Sequence, residues 1–197
     1  MKRRRKEVSV ENIPELNQLE AELNRENYKR RYRTVLRSTV YSLIVVAACA
    51  ILVAVLWMPV LRIYGTSMTP TINAGEIVIS LKGSKFRRGD LVAMYYSNKL
   101  LVKRVIAFPG EWINIDEDGN VYINEEPLDE PYLTEKALGD CDIELPYQIP
   151  DDHYFVMGDH RSVSADSRSS VIGSIPSEDI VGRIVFRVWP MEVFGLL

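Results

Sequence analysis

The chain has 197 residues, 47% of them hydrophobic and 26% charged, with a formal net charge of −3 at pH 7. That balance excludes a disordered or low-complexity chain, and two cysteines with two histidines exclude a disulfide scaffold and leave no metal-ligand spacing of the kind zinc sites use. The small net charge hides a split: residues 1–38 carry 11 Lys+Arg against 6 Glu, whereas the remainder carries 13 basic against 21 acidic residues.

The tail from Met1 to about Asn24 mixes Lys2–Lys6 with scattered Glu and few large apolar residues. Leu16, Leu19 and Leu23 fall at helical spacing, which predicts a weak amphipathic helix from Pro14 onward, running into the basic stretch Lys29–Arg37. An uncharged apolar run of 22 residues follows, Val40 to Leu61. At about 1.5 Å per residue it gives roughly 33 Å of helix, enough to cross a hydrocarbon core of about 30 Å. Basic residues crowd its N-terminal side while only Arg62 stands close beyond it, so the positive-inside rule puts the N-terminus in the cytoplasm. Beside a bilayer, and matched by nearby Glu, the Lys2–Lys6 charges do not point to nucleic acid. The run is too long and too far from the N-terminus for a cleaved signal peptide. Val46-Ala47-Ala48-Cys49 resembles a lipoprotein processing box, but a cut there would expose the apolar stretch Ile51–Leu61 as a new N-terminus. The predicted organisation is therefore a cytoplasmic tail over 1–38, a transmembrane helix over 39–61 and an extracytoplasmic domain over 62–197.

After Arg62 the texture changes to short runs rich in Val, Ile and Tyr, divided by Gly, Pro, Asn and Asp, which predicts a mostly β domain. Candidate strands are Ile77–Leu81, Leu91–Tyr96, Leu100–Ala107, Trp112–Asp116, Val121–Ile123, Tyr154–Met157 and Ile180–Val188. Asp118-Gly119-Asn120 reads as a hairpin turn. The acidic, proline-bearing stretch at about 111–150 reads as a loop-rich excursion. Cys141 is the only cysteine outside the apolar run, so the domain cannot close a disulfide.

Three segments concentrate reactive side chains. Ser67, in Gly65-Thr66-Ser67-Met68-Thr69-Pro70-Thr71, lies six residues beyond the apolar run. A serine needs a base to act as a nucleophile at neutral pH. Lys103, in Leu100-Leu101-Val102-Lys103-Arg104-Val105-Ile106, alternates onto the face of Leu101 and Val105; if that face is the inner one, desolvation makes the lysine a neutral amine able to take the serine proton. Spacing alone leaves open that one of the adjacent Lys103 and Arg104 snorkels to water. The third segment, Gly158-Asp159-His160-Arg161-Ser162-Val163-Ser164-Ala165-Asp166-Ser167-Arg168, has the composition of a buried polar network or of a salt-bridged turn.

Together with Arg-Arg-Gly-Asp-Leu-Val (87–92) and Lys-Arg-Val-Ile-Ala-Phe-Pro-Gly-Glu (103–111), these segments resemble, in order and spacing, the type I signal peptidases, membrane-bound serine/lysine proteases that remove signal peptides. The single N-terminal span and compact domain look most like enzymes of Gram-positive bacteria. The resemblance implies a signal-peptidase-like β fold, Ser67 as nucleophile, Lys103 as general base, Ser164 as the hydroxyl that orients the lysine, and Asp166 and Arg168 as a supporting salt bridge. Asp159 and Arg161 match further members of the polar cluster, Asp90 a structural turn, and Met68, Leu101 and Val102 candidate substrate contacts. It also implies cleavage of secretory precursors after small-x-small sequences, with no cofactor and no metal. Trp57, Met58 and Phe86 are candidates for seating the domain on lipid. Two departures stand out: His160 replaces the usual Asn, offering a rival base beside Asp159, and Gly65 stands where some members carry an oxyanion-binding serine, leaving the Ser67 N–H and Thr66 as candidate donors. A tethered binding domain that has lost activity, and the related self-cleaving repressors, are the alternatives; intact Ser67, Lys103 and Ser164 oppose the first, and the lack of a DNA-binding domain opposes the second.

Overall fold

The structure, a computed structural model, describes residues 15–83 and 85–197. The chain divides into two compact units, one ending at Leu52 and the other running from Val53. The expectations for Lys2–Lys6 and the rest of 1–14 lie outside the described residues.

Helix α1 (Leu16–Trp57) is a single uninterrupted helix of 42 residues with no buried side chain. At about 1.5 Å per residue it extends roughly 63 Å, so its apolar half is long enough to cross a membrane and its polar half extends past it. The expected amphipathic segment and the apolar run are thus one element. The helix ends at Trp57, four residues short of the expected boundary, because Pro59 has no N–H to continue the ladder and disfavours helix at the residue before it. Val60 and Leu61, expected in the span, instead form strand β1 (Val60–Arg62).

Eleven further strands follow: β2 (Ile77–Lys82), β3 (Leu91–Tyr96), β4 (Lys99–Ala107), β5 (Trp112–Ile115), β6 (Val121–Ile123), β7 (Glu126–Pro127), β8 (Tyr147–Gln148), β9 (His153–Met157), β10 (Ile175–Pro176), β11 (Ile180–Trp189) and β12 (Gly195–Leu196). All seven expected strands are present, with ends within a residue. The main sheet runs β1-β2-β11-β3-β4-β9-β10, with β12 added to β11, and every pair in it is antiparallel. The expected loop-rich excursion carries a second sheet, β7-β6-β5-β8, whose turn at Gly119 has the positive φ (80°) anticipated for the hairpin.

The centre of the main sheet is covered on both faces, and this decides the site. Along β3, Leu91 and Ala93 join an apolar cluster with Ile63, Met68, Ile72, Val78 and Ile184, while Val92 and Met94 join another with Val105, Val156, Ile175 and Ile180. A third cluster joins Ile106, Phe155 and Met157 to the inner face of the small sheet, Ile113, Ile115, Val121 and Ile123. The second half of β4, from Lys103 to Ala107, therefore has no face on which a cation can reach water easily. At the other end of the sheet, Val60, Ile79, Phe186 and Leu196 stand in one cross-strand row; Val60 and Leu196 are exposed, as are the neighbouring Trp189, Met191 and Phe194. Phe86, a candidate lipid anchor, packs edge-on against Tyr154 beside the core, whereas Trp57 and Met58 are exposed.

Candidate active site

Ser67 sits on a tight turn between β1 and β2. Ile72 N–H donates to the Met68 carbonyl at 2.9 Å and Thr69 N–H to the Thr66 carbonyl at 3.2 Å. The side chains of Met68 and Ile72 are 2% and 0% exposed, so burial on either side of the turn anchors it while Ser67 itself stays half-buried. The Ser67 backbone N–H and its hydroxyl donate to no described residue. Gly65, at φ 86°, has open space where a side chain would stand.

Lys103 and Arg104 are both buried, at 3% and 7% exposure, so neither snorkels. Lys103 pairs across the sheet with Val92, on the face of Val105, as the strand alternation required. Its Nζ donates to Ser164 Oγ at 2.7 Å. Burial is the largest influence on the amine and, with Arg168, lowers its pKa from 10.5 to about 8, against the opposing pull of Asp166 and Asp159. Arg104 points the other way. It grips Asp159 through two bonds (Nε to Oδ1 at 2.8 Å, Nη2 to Oδ2 at 2.5 Å), donates to the Gly89 carbonyl at 2.6 Å, and lies 3.9 Å from the centre of the Tyr132 ring.

The 158–168 loop is closed by Asp166. Its carboxylate accepts from Gly158 N–H at 2.9 Å and from Arg168 Nε and Nη2 at 2.8 and 2.9 Å. Burial pushes the Asp166 carboxyl up, but these bonds, the Arg168 charge and a bond to Ser164 more than offset it and hold its pKa below the usual value. Arg168, fully buried, also donates to the Arg161 carbonyl at 2.9 Å and the Leu138 carbonyl at 2.6 Å. The expected Asp166–Arg168 pair is therefore present. Asp159 and Arg161 pair elsewhere, with Arg104 and with the buried Glu130.

Three contacts join this loop to the Ser67 turn: His160 N–H donates to the Ser67 carbonyl at 3.0 Å, His160 Nδ1 lies 3.1 Å from Thr69 Oγ1, and the Thr71 hydroxyl donates to Asp159. Gly158 completes the juncture, since a Cβ there would fall 2.2 Å from Ser164 Oγ and 2.5 Å from the Ser67 carbonyl oxygen. Ser67, Ser164 and Lys103 are thus gathered around one glycine, although no hydrogen bond joins Ser67 Oγ to Lys103 Nζ. The Asp159 carboxylate is taken by Arg104 and by Thr71, whose hydroxyl donates at 2.5 Å, so it does not orient His160 as a triad would require. Asp90 accepts the Arg87 N–H at 2.7 Å, as its expected turn role predicts.

Beside Ser67 opens a cleft of about 480 Å³ lined by Gly65, Ser67, Met68, Leu100, Leu101 and Val102, among others. Met68, Leu101 and Val102, expected as substrate contacts, all line it. Strand β4 pairs with β3 over Lys99–Arg104 but with β9 only from Arg104 onward, so its first half lacks a partner strand on one edge among the described residues.

Residues 36–189, more than half of the chain, match the family described as signal peptidase, peptidase S26. The chain belongs to the signal peptidase family. It is 34% identical over 179 residues to signal peptidase I U of Bacillus subtilis (strain 168), covering 82% of this chain and 90% of that one. It is 31% identical over 173 residues to signal peptidase I of Streptococcus pneumoniae serotype 4, covering 68% and 83%. A crystal structure of a signal peptidase I from Enterococcus faecalis V583 aligns with a TM-score of 0.42 at 27% identity, covering 51% of this chain and 97% of that one. This signal peptidase is a hydrolase, a serine endopeptidase, and among its described residues one apolar helix, near the N-terminus, is long enough to span a membrane. Two participants escaped the sequence reading: Arg104, set aside as the neighbour of Lys103, and Glu130, lost among the acidic residues of the excursion. Their partners lie 55 and 31 residues away, and no local signal links them.

Proposed function

We propose that the peptidase cleaves signal peptides from secretory precursors with Ser67 as nucleophile and Lys103 as general base. The observation that carries this reading is the Lys103 amine, buried at 3% exposure, held by Ser164 at 2.7 Å and depressed to a pKa of about 8. A neutral amine accepts the Ser67 proton as Oγ attacks the scissile carbonyl. The Ser67 N–H, free of other partners, faces the developing oxyanion, with Thr66 as a second donor. The ammonium then protonates the leaving amine, and water activated by the same lysine releases the acyl-enzyme. The substrate binds as an extended strand along the open edge of β4, its small side chains before the cut resting on Met68, Leu101 and Val102. Asp159, Arg161, Asp166 and Arg168 hold the frame.

We place the tail over 1–38 in the cytoplasm and the domain from residue 62 outside the cell membrane, since the charge asymmetry about the span favours that orientation. The exposed apolar row ending at Leu196, with Trp57, Met58 and Trp189, seats the domain on lipid.

The test is cleavage of a secretory precursor carrying a small-x-small site by purified protein in detergent. Ser67→Ala should lower the rate by at least about 10³-fold with the fold intact; retained cleavage sinks the assignment. The pH profile follows from the base. Because only the neutral amine is competent, kcat/KM should fall about tenfold per unit below the pKa of about 8 and level off above it. A profile flat from about pH 5 to 9 would count against Lys103. Position 160 gives a finer expectation. His160→Ala removes the contact to Thr69 and should lower kcat by about fivefold with KM nearly unchanged, and His160→Asn, which restores a polar group, should recover most of it. Equal kinetics for the two variants would remove His160 from the positioning of the turn.

A further inference from the structure

The outer face of the small sheet carries chemistry that the proteolytic reaction does not use. Along β5 the side chains alternate: Ile113 and Ile115 enter the core, while Trp112 and Asn114 face outward. On β6, Tyr122 stands opposite Asn114 on that outer face. Trp112 and Tyr122 are therefore diagonal neighbours on the same side of a sheet, within reach of one side chain laid across both. The β6–β7 turn closes the rim. Asn124 and Glu125 both have positive φ, 50° and 70°, which gives the tight two-residue connection of a twisted hairpin. The turn is pinned across the sheet by Trp112 N–H to Asn124 Oδ1 at 2.9 Å and Asn124 N–H to the Trp112 carbonyl at 2.8 Å. The result is a hollow of about 670 Å³ lined by Trp112, Asn114, Tyr122, Asn124, Glu125 and Pro146. Its size falls within the range of small-ligand and side-chain sites.

Charge selects the occupant. From Glu111 to Glu135 the chain contains nine acidic residues and no lysine or arginine. Two of the nine are already paired, Glu111 with Arg88 and Glu130 with Arg161. Glu125 and Glu126 pair with no cation among the described residues. A rigid hollow with two aromatic faces, an unpaired carboxylate on its rim and no resident cation repels anions and suits a planar cation, which stacks on a ring while its N–H groups reach the carboxylate and the amide oxygens.

We propose that this face binds an arginine side chain of a partner polypeptide, its guanidinium lying against Trp112 and Tyr122 and hydrogen-bonded to Glu125. The surface is separate from the Ser67 cleft, sharing no lining residue with it. It gives the domain a second point of attachment, for a basic segment of another protein.

The experiment uses the full chain in detergent with Trp57→Phe and Trp189→Phe, which leaves Trp112 as the only one of the three tryptophans and its emission as the reporter. The probes are the capped peptide acetyl-Gly-Leu-Arg-Leu-Gly-amide, the same peptide with citrulline for arginine, and chitotetraose. The arginine peptide should saturate the Trp112 signal at concentrations up to about 10 mM, and the uncharged citrulline peptide should bind about tenfold more weakly. Glu125→Gln should weaken the arginine peptide by about tenfold, and Tyr122→Ala by a similar factor. Cleavage of a short peptide substrate, unchanged in both variants, shows that the fold is kept. Equal response to arginine and citrulline, no saturation, or indifference to Glu125→Gln overturns the proposal. Tighter binding of chitotetraose overturns it in favour of a neutral glycan.

Discussion

Lys103→Met is expected to abolish precursor cleavage and, in the same molecule, to raise thermal stability. Methionine keeps the length and buried volume of the lysine stem and removes only the amine. Loss of the proposed base costs at least about 10³-fold in rate, within the range of general-base contributions compounded by loss of the acid that would serve the leaving group. The stability gain comes from burial. Desolvation lowers the Lys103 pKa from 10.5 to about 8, and at 1.36 kcal/mol per unit the folded state bears a penalty of about 3 kcal/mol for carrying the ammonium. The sign is fixed by the two pKa values. Below about pH 8 folded and unfolded chains both hold the proton and the full penalty stands; between about pH 8 and 10.5 only the unfolded chain holds it, so stability rises with pH through that window. In the methionine variant that rise should vanish. Melting curves at pH 7 and pH 10 check it: a variant that is inactive and less stable at pH 7 would mean that the lysine is structural.

Asp166→Ala should have the opposite balance, with its largest effect on folding. It strips Arg168, fully buried, of its only carboxylate partner among the described residues and leaves the Gly158 N–H without an acceptor. Breaking a buried pair from one side costs about 3–5 kcal/mol. For a domain of this size the melting temperature should fall by roughly 10 °C. Activity should fall too, because Ser164 sits in the loop that Asp166 closes and would no longer hold the Lys103 amine. Differential scanning calorimetry alongside the cleavage assay separates the two effects, and a fall of less than about 1 kcal/mol would show that Arg168 finds compensation from its carbonyl partners.

These two residues mark how far the sequence could be read. Alternation along Leu100–Ile106 correctly placed Lys103 with Leu101 and Val105, because a period of two is a local property of a strand. It left open whether Lys103 or Arg104 reaches water, since that depends on elements packing from both sides. Val92 lies directly across from Lys103, and Asp159 covers Arg104 from a loop 55 residues away. Leu91–Tyr96 and Val121–Ile123 were legible to the residue because turn formers flank them. The two-residue strands β7, β8, β10 and β12 were not, because two residues carry no period and are extended only because a neighbouring strand pairs with them. Pro59 ends the helix, although Val60 and Leu61 beyond it are apolar enough to extend the run. Those two residues are apolar for a different reason: Leu61 packs on the cluster beneath β2, and Val60 joins the exposed row.

Gly158 has a consequence for how this enzyme can change over generations. Its Cα lies against both Ser67, the proposed nucleophile, and Ser164, whose hydroxyl holds the Lys103 amine, and one of the atoms that a Cβ would strike is main chain, which cannot rotate aside. Even the smallest side chain would push the two halves of the site apart. Neighbouring Ser162 and Val163 are exposed and free to drift under selection, but position 158 is closed to substitution, so new specificities must arise in the cleft walls and never at the junction itself.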